Sequence, residues 1–145
     1  MILDKMHHTS REVSELARDI GFDEYCDYYY WNEEVRPRFF ILKPGIKNSL
    51  LKFKDISVTT PNHFQLGRFF EEKYKISIEI IYEWDFFVRK KLFKYIIKEL
   101  LFEDEIINKS GGFEDIWGCE EAALKRACLN ISNYIKIPND EKIKV

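Results

Sequence analysis

The chain has 145 residues and a mass of 17.5 kDa, with 46% apolar and 16% aromatic residues and a net charge of −2. This length and composition predict one soluble, globular domain spanning 1–145 and lie outside the range of disordered chains. The near-neutral charge argues against non-specific polyanion binding as the main task, because such binding needs many Lys and Arg side chains.

The cysteines and the hydropathy predict a cytoplasmic protein. Cys26, Cys119 and Cys128 leave an odd thiol under any pairing. Cys119 and Cys128 also fall on opposite faces of one predicted helix, so they cannot bridge each other. This usage is typical of a reducing compartment. No apolar run approaches the roughly 20 residues that span a bilayer, and no membrane partner is expected.

The first predicted helix covers about 10–20. Thr9 and Glu12 have the spacing of a capping box, and an apolar stripe with helical spacing follows them. Gly21 comes directly after this stripe and is typical of a helix end. The pattern therefore predicts a short amphipathic helix with one buried face.

The segment between that helix and residue 60 carries weaker signals. The aromatic run 25–31 is expected to continue the buried path. The apolar segment 39–42 predicts a short strand between turns marked by Pro37, Pro44 and Gly45. No helix is expected in this region.

The most informative stretch of the chain runs from Thr59 to Ile81. Thr60 and Pro61 predict the cap and the first position of a helix. Apolar and polar residues then alternate, which predicts a strand that ends at about 84. The core face of this strand is expected to carry Ile76, Ile78, Ile80, Tyr82 and Trp84.

The chain after this strand predicts more sheet. Residues 86–102 fit both helical and strand spacing, and their aromatic and β-branched side chains favour two further strands. Gly111 and Gly112 indicate a loop that separates these strands from the last helix.

An apolar stripe over 124–135 predicts a last helix that ends at Pro138, followed by a frayed tail over 139–145. The order after residue 60 is then helix, three strands, helix. We therefore predict an α+β fold, a two-layer domain with an αβββα core over about 60–135 and an extra N-terminal helix.

Short motifs spread along the chain carry a family resemblance. They are Gly21-Phe22-Asp23-Glu24, Cys26-Asp27-Tyr28, Thr60-Pro61, Gln65-Leu66, Glu72-Lys73 and Glu120-Glu121-Ala122. With these motifs, most of the chain resembles small uncharacterised proteins of gut-bacterial mobile elements and their phages. The resemblance implies a genomic setting and an αβββα core, and it implies no reaction. The chain departs from that pattern by extra residues in the segments 32–57 and 98–117.

The αβββα order also resembles the double-stranded RNA-binding domain over roughly 60–135. That family binds RNA phosphates through lysines at the start of its last helix. Here the corresponding stretch, from Gly118 to Ala122, is acidic and would repel phosphate. The resemblance therefore implies a topology and none of the RNA-contacting residues.

An aromatic and basic segment is the candidate ligand site. Tyr28 and Tyr30 share one face of an extended run, and Arg36 and Arg38 follow in a stretch from 36 to 54 that is rich in cations. Aromatic rings beside cations can stack bases and hold phosphate. The competing interpretation is that these tyrosines are ordinary core and edge residues.

An acidic stretch is the candidate partner surface. Glu103, Asp104, Glu105, Glu114 and Asp115 could contact a basic partner or a second copy of the chain. The competing interpretation is a solvated loop and helix start, which would also include the acidic pair at 120 and 121.

The histidines do not predict a reaction centre. His7 and His8 lie in the N-terminal stretch, and His63 lies in the first turn of a helix, where a surface position is expected. A zinc site needs about four converging ligands, so no metal and no cofactor are predicted. His63 could act as a base toward Cys26, but the sequence identifies no third orienting group.

We therefore expect a small non-enzymatic binding or accessory protein that acts on an unidentified protein partner or sequesters a ligand. Two alternatives stay open, a nucleotide or single-stranded nucleic-acid binding protein and a small cysteine- or histidine-dependent enzyme. The 12 phenylalanines and an exposed sheet edge also make a homodimer an option.

Overall fold

The computed structural model describes residues 3–53, 56–101 and 105–136. In these ranges the chain forms helices and two antiparallel sheets, which confirms the α+β class. The helices are α1 (Arg11–Asp19), α2 (His63–Phe69) and α3 (Ile116–Lys136). The strands are β1 (Tyr28–Trp31), β2 (Arg38–Phe39), β3 (Ser57–Thr60), β4 (Ile76–Asp85), β5 (Lys90–Glu99) and β6 (Glu105–Phe113). The order from α2 to α3 is the predicted one, and the expected tail lies outside the described residues.

Helix α1 begins one residue later than the capping-box spacing predicts. The Ser10 hydroxyl accepts a hydrogen bond from the Val13 amide at 3.2 Å and caps the helix. Thr9 is buried, and its hydroxyl bonds the Ser14 hydroxyl at 2.7 Å. The prediction that Thr9 caps α1 was therefore wrong.

The end of α1 is the predicted one. Gly21 has a φ of +97°, a conformation that glycine adopts without a steric penalty. Its amide donates to the Arg18 carbonyl at 3.0 Å, and the Phe22 amide donates to the Ala17 carbonyl at 2.9 Å. These two bonds form a Schellman motif, which stops the helix and directs Phe22 into the core.

The smaller sheet was not predicted. Strand β1 lies between β2 and β3 and pairs antiparallel with both. Thr60 is the last residue of β3 and pairs with Tyr28, so it does not cap α2. The cap is Asn62, whose side chain accepts from the Gln65 amide at 2.7 Å.

The larger sheet is an antiparallel meander with β5 in the centre. Helix α3 packs on one face of this sheet, and α1 and α2 pack against α3. Ile80, Tyr95 and Ile97 face this helix and belong to the main core. The core therefore lies between the larger sheet and the helices.

One end of the larger sheet extends beyond the helices that pack on it. Tyr82 and Trp84 lie on the predicted core face but are 53% and 54% exposed, so the prediction that they are core was wrong. The reason is that β6 ends at Phe113, opposite Phe93, which itself pairs with Tyr82. Past this point β4 and β5 continue as a two-stranded ribbon.

The third strand of the meander replaces a predicted loop. Residues 86–101 supply one strand, β5, between two turns, while Gly111 and Gly112 lie within β6. Between the pairs Tyr95–Ser110 and Phe93–Phe113 the register shifts, because β6 carries one residue more than β5. Gly112 has a φ of +84°, which suits such a bulge.

Two isoleucines test where the core lies. Ile97 is fully buried in the central strand, and Ile106 is half exposed at the sheet edge. We expect Ile97→Ala to lower the free energy of unfolding by about 2–5 kcal/mol, because it leaves a cavity. Ile106→Ala should cost less than about 1 kcal/mol. Urea denaturation followed by tryptophan fluorescence measures both, and equal losses would contradict this packing.

Candidate functional site

The two candidate tyrosines differ in exposure. Tyr30 is buried, its hydroxyl donates to the Thr9 carbonyl at 2.8 Å, and burial raises its pKa to about 12. Tyr28 is half-buried, with its ring 4.3 Å from the His8 ring. The cavity beside Tyr28 has a volume of about 90 Å³, well below the roughly 300–1,000 Å³ of typical ligand pockets.

The two candidate arginines lie on the surface. The Arg38 guanidinium binds the Glu34 carboxylate through two nitrogens and lies over the Trp31 ring, 5.9 Å from its centre. The hydrogen bond from Arg38 holds the pKa of Glu34 below its usual value. Arg36 is exposed on the loop before β2. Nucleotide binding by these residues and the tyrosines stays a prediction.

The candidate acidic surface is divided. Glu103 and Asp104 lie outside the described residues. Glu105 is exposed at the start of β6 and lines a cavity of about 450 Å³ together with Ile76, Ile107 and other residues. A contact between this stretch and a basic partner stays a prediction.

The later acidic residues have contacts within the chain. Glu114 binds the Lys90 ammonium at 3.1 Å. Asp115 accepts a hydrogen bond from the Gly118 amide at 2.9 Å, the position of a cap at the first turn of α3. These two carboxylates therefore stabilise the junction between β6 and α3.

A buried cluster of two histidines and two glutamates joins the helices to the N-terminal segment. Glu120 is fully buried, whereas the acidic helix start was expected to be solvated. One oxygen, Oε1, lies 2.6 Å from His7 Nδ1 and 3.1 Å from His63 Nδ1. The other, Oε2, accepts from the Asp4 amide at 2.8 Å. Three donors thus satisfy one buried carboxylate, as its burial requires.

His63 is fully buried, so the prediction of a surface position was wrong. Its Nδ1 faces Glu120, and its Nε2 lies 2.7 Å from Glu121 Oε2. Burial alone lowers the pKa of His63, but the hydrogen bonds with both glutamates outweigh it and raise the pKa above its ordinary value. Because an ionised carboxylate only accepts, this arrangement is fully satisfied when both ring nitrogens carry a proton, which is the imidazolium form.

The carboxylates respond in the opposite direction. Burial raises the pKa of Glu120, but the hydrogen bonds from His63, His7 and the Asp4 amide outweigh this effect and hold the pKa below its ordinary value. Glu121 also accepts from the Ser10 amide at 2.8 Å. The pKa shifts of His63 and Glu120 therefore both favour the charged forms, which makes their contact a hydrogen-bonded ion pair.

Backbone contacts fix the N-terminal segment over α2. The His63 amide donates to the His7 carbonyl at 2.8 Å, and the Trp117 indole donates to the His8 carbonyl at 3.1 Å. At Gly67 in α2 a Cβ would lie 2.3 Å from Leu3 Cδ1, so a larger residue there would require the Leu3 side chain to shift. His7 is thereby held against α2 and α3.

The thiols are separate from this cluster. Both ring nitrogens of His63 face carboxylates, and the Cys26 thiol contacts the Gln65 side chain at 3.8 Å. Burial raises the pKa of Cys26 to about 12 and that of Cys119 to about 11. These thiols are protonated at neutral pH, and a protonated thiol is a poor nucleophile.

Sequence reasoning missed this cluster, although one signal was present. Glu120 is in helical phase with the buried stripe of Leu124, Ala127 and Ile131 on α3. An acid in such a stripe must be buried, and a buried acid needs donors. The sequence could not name the donors, because His63 and His7 are 57 and 113 residues away.

The β4–β5 hairpin ends in an exposed apolar tip. We define the hairpin tip as residues 84–88, Trp84 to Val88. Phe86 and Phe87 are 81% and 100% exposed. The Asp85 carboxylate accepts from the amides of Phe87 and Val88 at 2.9 and 3.2 Å and holds the turn. A cavity of about 380 Å³ lies beside the tip.

The cluster predicts how stability depends on pH. His63 stabilises the fold fully below its ordinary pKa of 6.5, and this contribution is lost as the pH rises through the raised folded value. Glu120 stabilises the fold fully above pH 4.5, its ordinary pKa. This contribution is lost as the pH falls through the lowered pKa of Glu120 in the folded state. We therefore expect both contributions to be complete between pH 4.5 and 6.5.

Variants isolate the histidine. At pH 6, with EDTA present, we expect His63→Gln to lower the free energy of unfolding by about 3–5 kcal/mol, because it leaves a buried carboxylate short of a partner. The difference from wild type should shrink toward pH 8. His8→Gln is the control. Its free energy of unfolding should fall above pH 6.5, the ordinary pKa of both histidines, as that of the wild type does. A pH-independent effect of His63→Gln would contradict the charged network.

Comparisons with known proteins leave the function to be argued from the residues. No protein-family model matches the chain, and no curated protein and no solved structure matches it. Among the described residues, no helix has the length and apolar character needed to cross a membrane. The resemblances to mobile-element proteins and to the double-stranded RNA-binding domain stay predictions.

Proposed function

We propose that this chain is a small non-enzymatic binding protein that docks onto another protein through the hairpin tip and the adjoining Tyr82. The observation that carries the proposal is the exposure of aromatic side chains at the end of a two-stranded ribbon. An accessory role for a phage or mobile element, the genomic setting that the resemblance implies, belongs to the same proposal. So does the cytoplasmic location, which the cysteines and the hydropathy predict.

The exposed apolar area is large enough for a specific interface. Tyr82, Trp84, Phe86, Phe87 and Val88 are all more than half exposed. Since a fully covered aromatic side chain buries about 150–250 Å², together they offer on the order of 600–800 Å². One partner contributes about 800 Å² to a standard protein interface. Contiguous apolar patches of this size usually mark interaction sites.

The chemistry of the tip also favours a protein. Tyrosine, tryptophan and phenylalanine are enriched at the centres of protein interfaces, where a few side chains carry most of the binding energy. The adjacent cavity, lined by Phe86, Phe87 and the glycines at 111 and 112, can receive a side chain of the partner. Continuous pairing of β4 with β5 up to Asp85–Lys90 means that the ribbon is ordered before it binds.

The charges around the tip indicate the kind of partner. Lys94 binds Glu83 at 2.8 Å and Lys90 binds Glu114, so both pairs are neutral. The remaining charged side chains near the tip, Arg89, Lys91 and Asp85, have a net charge of +1. We infer a partner with an apolar pocket and a weakly acidic rim.

Two other occupants fit this charge pattern less well. Contact between two tips would bring the positive excess of both copies together. Binding to an anionic membrane generally uses clusters of about four to eight Lys and Arg residues. The tip has four cations nearby, at 89, 90, 91 and 94, but Glu83, Asp85 and Glu114 offset three of them. A foreign protein is therefore the favoured occupant.

A matched pair of double variants tests the proposal. We expect Phe86→Ser with Phe87→Ser to leave the urea midpoint unchanged, because both side chains are exposed, but to weaken binding to the partner at least tenfold. Ile41→Ser with Leu42→Ser is the control, since these side chains are 81% and 70% exposed elsewhere on the surface. Each variant is used to capture proteins from a lysate of the source cells. Mass spectrometry identifies the proteins that the wild type and the control retain but the tip variant does not. These proteins are then purified and titrated.

Three results would contradict the proposal. The first is that every captured protein binds the tip variant as well as the wild type. The second is a wild-type dimer in sedimentation velocity that the tip substitutions dissociate. The third is cosedimentation with phosphatidylserine vesicles that the tip substitutions abolish.

A further inference from the structure

Three potential metal ligands converge at the start of α3. They come from His7, His63 and Glu120, and one ligand atom of each lies within 4.8 Å of the other two. Nδ1 is the nitrogen of each ring that faces Glu120 Oε1. These residues come from three separate parts of the fold, the N-terminal segment, α2 and α3. We propose that this His7–His63–Glu120 cluster binds a divalent first-row transition metal ion, with Zn²⁺ as the reference ion.

The spacing of the three atoms fits such an ion. Metal–ligand distances of about 2.0–2.1 Å in a tetrahedral zinc site place neighbouring ligand atoms about 3.3 Å apart. The carboxylate oxygen lies 2.6 Å from His7 Nδ1 and 3.1 Å from His63 Nδ1. The ion would fit if these nitrogen–oxygen separations increased by a few tenths of an ångström. It would replace the protons that now lie between the nitrogens and the carboxylate oxygen.

The groups behind the ligands support the same assignment. Histidines that bind a metal almost always direct their second ring nitrogen to a carboxylate, a carbonyl or water. His63 Nε2 lies 2.7 Å from Glu121, and His7 Nε2 lies 3.8 Å from the Asp4 carboxylate. Glu121 therefore orients His63 with Nδ1 toward Glu120, whereas His7 Nε2 lies beyond hydrogen-bond distance of Asp4.

The ligand types select the class of metal. Two imidazoles and one carboxylate suit Zn²⁺, Co²⁺, Fe²⁺ or Ni²⁺, whereas Mg²⁺ and Ca²⁺ prefer oxygen ligands. The two glutamates balance the charge of a divalent ion once the histidines are neutral. The ion can enter from the side of His7, whose side chain is partly exposed.

Titration of the full chain, without an affinity tag, tests the site. Isothermal calorimetry with Zn²⁺ and visible absorption with Co²⁺ should show one ion bound per chain. We expect His7→Ala to weaken Zn²⁺ binding at least tenfold and Glu121→Gln to weaken it about 10–100-fold. His8→Ala is the matched control, because His8 packs on Tyr28, and it should change the affinity less than twofold.

The proposal fails if the folded wild type binds Zn²⁺ more weakly than about 100 μM at pH 7.5, or if His7→Ala and His8→Ala bind it equally well. The cluster would then be a structural ion-pair network only. Should His7→Ala not fold, nitrogen-15 spectra of the wild-type histidines decide. Zn²⁺ must shift the Nδ1 resonances of His7 and His63 and leave those of His8 in place.

Discussion

The buried carboxylate of Glu120 is the constraint on which the arrangement of this protein depends. A charge without solvent must be compensated, and here one oxygen meets two imidazoles while the other meets a backbone amide. The donors are Asp4, His7 and His63, so this one group positions the N-terminal segment and α2 against α3. Glu121 extends the network to Ser10 at the start of α1.

The position of α3 in turn determines what the sheet exposes. The helix begins just after β6 ends, and its buried stripe covers the larger sheet up to the level of Tyr95. Beyond Phe93 the β4–β5 ribbon has neither a third strand nor a helix on it among the described residues. The aromatic tip is therefore exposed by the geometry of the fold. Its side chains contribute little to the core and are available for a partner.

Local features of the fold were predictable from the sequence because local residues determine them. Gly21 ends α1 by a Schellman motif, and the alternation over 76–80 sets the buried face of β4. The periodicity could not show where the helices stop covering that face, which is why Tyr82 and Trp84 were wrongly predicted to be core residues. The Thr9 cap failed by one residue, because Ser10 offers the same hydroxyl chemistry.

Long-range features were not predictable. Strand β1 pairs with β3 across a connection, 32–56, that includes β2, and the four-residue runs carry no clear alternation. The glycines in β6 indicated a loop because a bulge and a loop need the same backbone freedom. The histidine–glutamate cluster depends on pairings that only the tertiary structure reveals. Its proposed metal binding and its effect on stability depend on the same pairings.

The most direct test of the Glu120 constraint is the protonation of His63 in solution. Proton–nitrogen correlation spectra of nitrogen-15 histidine, recorded at pH 6 with EDTA, report each ring nitrogen separately. We expect His63 to show two slowly exchanging N–H protons, one for each glutamate that it faces. A His63 ring with rapidly exchanging protons, or with one bare nitrogen at this pH, would contradict the buried network and the fold built around it.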